Sequence, residues 1–414
     1  MGVNTLAIPQ PIDPRFQMPP TADNTTSHQR LRADLPLLHE EGACLPLRSQ
    51  HGQCRACADE CPVDALAVSV AGVQLSESCT GCGRCTAACP TQALALPELA
   101  RYSEPVPSAE GPTQVRIECR MVPVDAHRGD TLVVPCLGAL TPGHLMSRVA
   151  AGHVVSIIDR GWCDGCTSAC GTGSEANPAR RAVEAAALWL AAAGSTERPT
   201  IVESLLSPSL RPLAIPPPPS APPAIDRRSF FRAAIEKPAG RQRSAATPIG
   251  ADGRAAYPAG ARRASPERER QRLALLRLTQ ALGTDMPAEF FPALHADDRC
   301  CDRRMCVALC PTAALTVADD AAVSHLRLDS DRCIACGTCV RACPEGALTL
   351  AAHGGSAGLH SLASHHRARC PECGDSFTPS ADQLETGSAA PCPTCAKSRR
   401  FISDARRQLF GALN

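Results

Sequence analysis

Residues 78–94 read SCTGCGRCTAACPTQAL, placing cysteines at Cys79, Cys82, Cys85 and Cys89, with Pro90 directly after the last. Three thiols at CxxCxxC let one short turn wrap a face of a compact cluster, each thiolate reaching a different metal atom. Three residues later the chain has turned away, so Cys89 does not easily close the same site. The stretch therefore poses a choice between one metal site, parts of two, and none.

The rest of the chain repeats the pattern. Cys44, Cys54, Cys57 and Cys61-Pro62 form one group beside Cys79, Cys82, Cys85 and Cys89-Pro90. Far downstream come Cys300, Cys301, Cys306 and Cys310-Pro311, then Cys333, Cys336, Cys339 and Cys343-Pro344. Flanking text recurs as CPVDALAV, CPTQALAL, CPTAALTV and CPEGALTL, the mark of one module used twice.

Composition agrees. The 414 residues hold 25 cysteines but only 3% aromatics, so large core-filling side chains are scarce. A net charge of +1 gives no argument for nucleic acid or an anionic membrane as partner. The N-terminus, MGVNTLAIPQPIDPRFQMPP, lacks the basic and apolar regions of a secretory signal. The longest apolar run, Ala182 to Gly194, contains Glu184 and is too short to span a bilayer, which takes about 20 helical residues. A soluble, cytoplasmic protein without membrane insertion is expected, and in a reducing compartment dense cysteines point to metal.

With these motifs in view, residues 44–97 and 300–350 each resemble a bacterial dicluster ferredoxin module, in which the fourth cysteine of one motif ligates the other cluster. The resemblance implies four [4Fe–4S] clusters. The first is implied on Cys79, Cys82, Cys85 and Cys61, and the second on Cys54, Cys57, Cys89 and Cys44. Nine residues separate Cys44 from Cys54 where the family has two, a loop that can still deliver Cys44. A third set is implied on Cys333, Cys336, Cys339 and Cys310. The fourth has Cys306 and Cys343 in register, but Arg303 stands three residues before Cys306, leaving Cys300, Cys301 or both as substitutes. Zinc, usually held by two CxxC knuckles, has no use for a third cysteine at CxxCxxC followed by CP.

Between the modules, residues 113–203 alternate strand-like and helix-like runs (TLVVPC, PGHLMSRVAAG, HVVSIID, NPARRAVEAAALWLAAAG, TIVES), the order of a small α/β unit with parallel strands. IECR, VVPCLGALTPGHLM and GHVVSIIDRGWCDGCTSACG together resemble the delta-subunit family of methyl-viologen-reducing hydrogenases, although the leading cysteine cluster of that family is here reduced to Cys119. That resemblance implies a small iron–sulfur centre and a redox partner. Three readings stay open for Cys119, Cys136, Cys163, Cys166 and Cys170. They are a [2Fe–2S]-type centre on the first four, a redox-active pair at Cys163 and Cys166, and zinc or structural thiols.

Near the end, Cys370, Cys373, Cys392 and Cys395 form CPEC, an 18-residue gap and CPTC, the spacing of a zinc ribbon. Rubredoxin, with iron in the same cage, is the rival. It builds an aromatic core, whereas only Phe377 lies between these knuckles. His360, His365 and His366 precede the ribbon and read as exposed loop histidines. The segment RRSFFR at 227–232 resembles a twin-arginine signal, but it is internal and no hydrophobic region follows it, so a docking segment or helix start is favoured.

The expected fold is α+β and multidomain. An extension (1–37) precedes a dicluster module (38–103) and the α/β unit (113–203). A Pro/Ala/Arg-rich disordered linker (204–268) leads to a helix with the second module (269–352) and a ribbon with terminal helix (366–414). No nucleophile–base set stands out, and GTGSEA is not a GxGxxG loop, so the chain reads as a non-catalytic carrier. The expected function is electron transfer as a polyferredoxin-like protein, to or from a redox enzyme or its subunit, such as a hydrogenase or a molybdenum formate dehydrogenase. The alternative is an assembly or maturation factor delivering clusters or electrons to a metalloenzyme.

Overall fold

The computed structural model describes residues 29–32, 34–100, 113–128, 131–169, 176–212, 264–320, 322–379, 383 and 391–411. RRSFFR, Cys170, most of the expected linker and N-terminal extension, and all but the last residue of GTGSEA lie outside them. The architecture mixes helices with several small sheets.

In the first module, β1 (Leu38–His39), α1 (Ala56–Asp59), β2 (Leu66–Ser69), β3 (Gly72–Leu75), α2 (Arg84–Ala88) and β4 (Leu94–Ala95) follow in order. β2 and β3 form an antiparallel hairpin from Leu66↔Leu75 to Ser69↔Gly72, and β1 pairs with β4. Helices of four or five residues do not persist alone in water. They pack on each other, and α1 also packs against β2.

One backbone device occurs four times. The third residue after each CP-motif cysteine is left-handed: Asp64 (φ 48°), Gln92 (φ 50°), Ala313 (φ 53°) and Gly346 (φ 60°). At a non-glycine this costs about 1–2 kcal/mol, so it needs compensation. The turn aims the next N–H back at the cysteine sulfur. Ala65, Ala93 and Ala347 donate to Sγ of Cys61, Cys89 and Cys343 at 3.2, 3.2 and 3.4 Å.

The middle unit contains β5 (Gln114–Cys119), β6 (Thr131–Val134), α3 (Pro142–Ala150), β7 (Val154–Asp159), α4 (Arg180–Ala192) and β8 (Thr200–Glu203). Its strands form one parallel sheet in the order β6-β5-β7-β8. Near-continuous apolar runs suit strands covered on both faces, and Ile117, Val134, Val155 and Ile157 are fully buried.

Helix α5 (Pro266–Leu282) begins at Ser265, whose Oγ accepts the Arg268 N–H, and stops at the left-handed Gly283. It lies against α3. Glu267 accepts hydrogen bonds from Thr141 Oγ1 at 2.6 Å and Gly143 N at 2.7 Å, a carboxylate at the positive end of that helix. Glu267→Ala is expected to cost about 1–3 kcal/mol by leaving these donors unpaired. A urea titration followed by circular dichroism measures it.

Spans read in the sequence as separate share one core. Leu37, Leu66 and Leu94 of the first module join Ile117, Val134, Ile157 and Leu190 of the sheet unit, together with Leu275, Phe290 and Phe291. Trp189 meets Phe290 edge-on at 5.4 Å. The few aromatics are thus spent where α5 closes over the α/β unit.

The second module has its own core of Leu294, Ala314, Leu315, Leu326, Leu328 and Leu348. Its elements are β9 (Ala293–Ala296), α6 (Met305–Leu309), β10 (Leu315–Asp319), β11 (Val323–Asp329), α7 (Thr338–Arg341), β12 (Leu348–Ala351) and β13 (Leu359–His366). β9 pairs with β12, and β10, β11 and β13 form an antiparallel sheet. His360, His365 and His366 therefore lie on strand β13, not in a loop. Pairing to β11 makes a strand of LHSLASHH, whose own composition does not announce one.

The ribbon is a short hairpin, β14 (Ala368–Arg369) with β15 (Ser376–Phe377), followed by α8 (Pro393–Phe410). Among the described residues, no helix is long and apolar enough to cross a membrane.

Candidate metal centres

The cysteines of the intact motif divide between two cavities. Cys61, Cys79, Cys82 and Cys85 line one of about 380 Å³, with Leu37, Leu66 and Leu96 among its apolar walls (site I). Cys44, Cys54, Cys57 and Cys89 line another of about 350 Å³ (site II). Helix α2 explains the split, because Cys85 lies within it on the site I side while Cys89 follows its end and enters site II.

The loop through Cys79, Cys82 and Cys85 is bent by left-handed Gly81 (φ 65°) and Gly83 (φ 81°). A Cβ on Gly83 would come 2.7 Å from Leu96 Cδ1 and 2.9 Å from Ala139 Cβ, so this bend needs glycine. The long insertion after Cys44 does not remove it from site II. Cys44 precedes a one-turn helix, Leu45–Arg48, and the loop folds back so tightly that a Cβ on Gly52 would overlap the Leu45 carbonyl.

In the second module, Cys310, Cys333, Cys336 and Cys339 are near enough to act on one another electrostatically (site III). Cys300, Cys301, Cys306 and Cys343 line a further cavity of about 380 Å³ (site IV). Cys300 is half-buried and Cys301 exposed. His365 Nε2 lies 3.4 Å from Cys300 Sγ.

The middle cysteines gather at one end of the parallel sheet. Cys119 ends β5, Cys136 follows β6, and Cys163 and Cys166 follow β7. These are carboxyl ends of strands around the point where the order reverses, the usual ligand position in open α/β sheets. All four line a cavity of about 490 Å³ with Met121, Trp162 and Arg160. Met121, Gly138 and Ser168 donate N–H to Sγ of Cys119, Cys136 and Cys166 at 3.4, 3.4 and 3.5 Å. Beneath them Glu118 is buried in an ion pair with Arg160, 2.8 Å away.

Burial, more than any neighbour, pushes these thiols up. It takes Cys44, Cys163 and Cys339 to about 12 and Cys57, Cys306 and Cys333 to about 11. Thiols so placed are neutral at physiological pH and become thiolates only against a positive metal centre.

Sulfur spacing separates two kinds of site. Cys370, Cys373, Cys392 and Cys395 bring their Sγ atoms within 4.8 Å of one another, the spacing for one tetrahedral ion. Among the described residues, no other group of three cysteines is drawn together so closely. At sites I, II and IV and the middle site the cysteines instead line shared cavities. The donor chemistry, all-thiolate with N–H bonds to sulfur, fits iron–sulfur ligation.

Adjacent sites also touch. Arg120 Nη2 donates to the Thr80 carbonyl at 2.8 Å, and Cys82 shares a larger cavity with Cys119, Cys136 and Cys166. Arg84, paired with Glu60, donates to the Ser168 carbonyl at 3.1 Å. At the other end, Arg341 donates from Nε to the His51 carbonyl and from Nη2 to the Cys336 carbonyl, both at 2.9 Å, tying the site II loop to site III. Burial raises the Cys54 thiol, and Cys336 is among the charges near enough to add to it.

Arg341 and His51 carry no signal in the sequence and His365 reads there as a loop histidine, because all three act through contacts between distant segments. The family model for the 4Fe-4S binding domain matches residues 75–95 and 326–349, the two stretches holding Cys79–Cys89 and Cys333–Cys343. No curated protein matches the chain. With ferredoxin-like 4Fe–4S modules at both stretches, the chain has an iron–sulfur electron-transfer role.

Proposed function

We propose that the chain conducts electrons between a partner oxidoreductase and an acceptor through a series of sites running from the middle domain through sites I, II, III and IV. The observation carrying this reading is the contiguity of the cysteine sets. Cys136 and Cys82, Cys85 and Cys57, Cys54 and Cys336, and Cys339 and Cys306 are each close enough to interact electrostatically across neighbouring sites. A cluster bound at each would accept and release one electron. The protein supplies thiolates, N–H donors to sulfur, apolar walls that exclude water, and the Arg120, Arg84 and Arg341 contacts that fix the spacing.

Sites I to IV are proposed to hold [4Fe–4S]-type clusters and the middle site a smaller iron–sulfur centre, on Cys119, Cys136, Cys163 and Cys166. The partner is proposed to be a hydrogenase or molybdenum formate dehydrogenase, on the resemblance of the middle unit. Repeated cycling between reduced viologen and a mild one-electron acceptor separates a carrier from a cluster donor. A carrier retains its iron to within about one atom per chain. Loss of whole clusters to an apo-acceptor protein would instead support the maturation reading.

The ribbon is proposed to hold zinc as a closed structural site. The Cys392 N–H, 3.2 Å from Cys370 Sγ, leads the backbone donors that lower that thiol to about 6. Cys395 is raised by its contact with Cys392, and Cys373 is also raised. Cys370 is therefore the ligand most ready to bind as a thiolate, and the raised Cys373 and Cys395 must lose protons to bind metal. Zinc affinity should therefore rise with pH near neutrality, by at least about tenfold per unit. Competition titrations against a chelator at pH 6.5 and 7.5 measure the slope, and a flat profile contradicts the site.

A further inference from the structure

Site IV keeps the shape of a complete cluster loop while lacking one of its ligands. In site I, Cys82 stands between left-handed Gly81 and Gly83, and in site III Cys336 stands between Ala335 (φ 51°) and Gly337 (φ 70°). In site IV the same two positions are Asp302 (φ 53°) and Arg304 (φ 61°), and the residue between them is Arg303. Two non-glycine residues thus adopt a costly conformation that elsewhere serves to aim a cysteine. Cys300 takes the place of Cys79 and Cys333, Cys306 that of Cys85 and Cys339, and Cys343 enters from the other motif as Cys89 does.

Arg303 is engaged by Glu345 and by Cys301. Its Nε donates to Glu345 Oε1 at 2.7 Å, and the pair stands at the cavity rim. Cys301 is exposed and interacts with Arg303 and Glu345; Cys300 and Cys306 interact with each other and with Cys343, and Glu345 also acts on Cys300 and lies 4.0 Å from Cys343 Sγ. Asp302, Arg303, Arg304 and Glu345 give this cavity a charged edge, whereas site I has no charged residue in its lining.

We propose that site IV binds its cluster through Cys300, Cys306 and Cys343 alone, leaving the iron at the Arg303 corner to a small exogenous ligand, water or a thiol, and therefore exchangeable. This rests on the iron–sulfur reading of the modules. Cys301 is not a ligand, and His365 supports Cys300 by a hydrogen bond to its sulfur. One-electron oxidation by ferricyanide then takes [4Fe–4S]²⁺ to [3Fe–4S]⁺ with release of one Fe²⁺. Fe²⁺ with one electron from dithionite reverses it.

The test uses the anaerobically reconstituted full-length protein and about one equivalent of ferricyanide, read by electron paramagnetic resonance and by Fe²⁺ released to a chromogenic chelator. Wild type is expected to give the near-isotropic signal of an oxidised three-iron cluster with about one Fe²⁺ per chain. Cys301→Ser and Arg303→Ala should behave like wild type. Arg303→Cys, which completes the CxxCxxC motif, should suppress both signal and iron release at least tenfold. The proposal is overturned if wild type gives no three-iron signal, if Arg303→Cys releases iron as wild type does, or if Cys301→Ser alone changes the yield. Absence of all iron–sulfur absorption would instead remove the parent reading.

Discussion

Replacing Cys89 with alanine is expected to remove about four irons per chain and to open the first module to proteolysis while site III stays loaded. The size of the effect follows from where Cys89 sits. It closes site II with Cys44, Cys54 and Cys57, but it extends from α2, the helix that also carries Cys85 of site I. Its sulfur receives the Ala93 N–H that holds the left-handed turn at Gln92, and Ala93 packs with Ala43 and Cys44 in a small core. Losing one thiolate therefore removes a ligand, a turn and a contact together. Iron analysis with limited trypsin digestion tests this, and unchanged iron with unchanged digestion contradicts the assignment of Cys89 to site II.

The second large effect is expected at the buried pair under the middle site. Arg160→Met should destabilise the α/β unit by about 3–5 kcal/mol, because a charged Glu118 would remain in the core without its hydrogen-bonded partner, with only His127 Nε2 nearby at 4.0 Å. The side chains are 8% and 1% exposed, so solvent screening does little to soften the loss. Arg160 also donates to the Ser204 and Ala126 carbonyls, which tie the ends of the sheet around the cavity. Converting both residues, Arg160→Met with Glu118→Leu, should recover much of the stability, since no buried charge is left. Guanidinium titrations of the three forms decide it. Equal midpoints for wild type and Arg160→Met contradict the account.

What the sequence disclosed is what short-range chemistry encodes. Spacing within one turn, such as Cys79–Cys82–Cys85 with the proline after Cys89, fixes which thiols share a loop, and the family match falls on that stretch and its counterpart. The parallel strands of the middle unit were legible because TLVV and VVSIID are apolar apart from Thr131, Ser156 and the terminal Asp159. Contacts made between distant segments were not legible. Arg341 meets His51 across 290 positions, and His365 meets Cys300 across 65. The long insertion after Cys44 reads in isolation as a departure from the ferredoxin pattern, yet it supplies the carbonyl that Arg341 grips. The shared core escaped notice for the same reason. Phe290 and Phe291 stand beside the second module in sequence but pack with Trp189 and Leu275. Arg303 shows the reverse case, since spacing marks its position but only the backbone shows that Asp302 and Arg304 on either side are left-handed.

The central claim is that the cysteine sites form one connected electron path, and the most direct test is a reductive titration of the reconstituted full-length protein followed by electron paramagnetic resonance. The account predicts reversible uptake of several electrons and, as reduction proceeds, broadened and split signals from spins on neighbouring sites. Arg341→Ala should weaken the splitting that arises between sites II and III. A spectrum that stays a simple sum of isolated, unsplit signals at full reduction would contradict it.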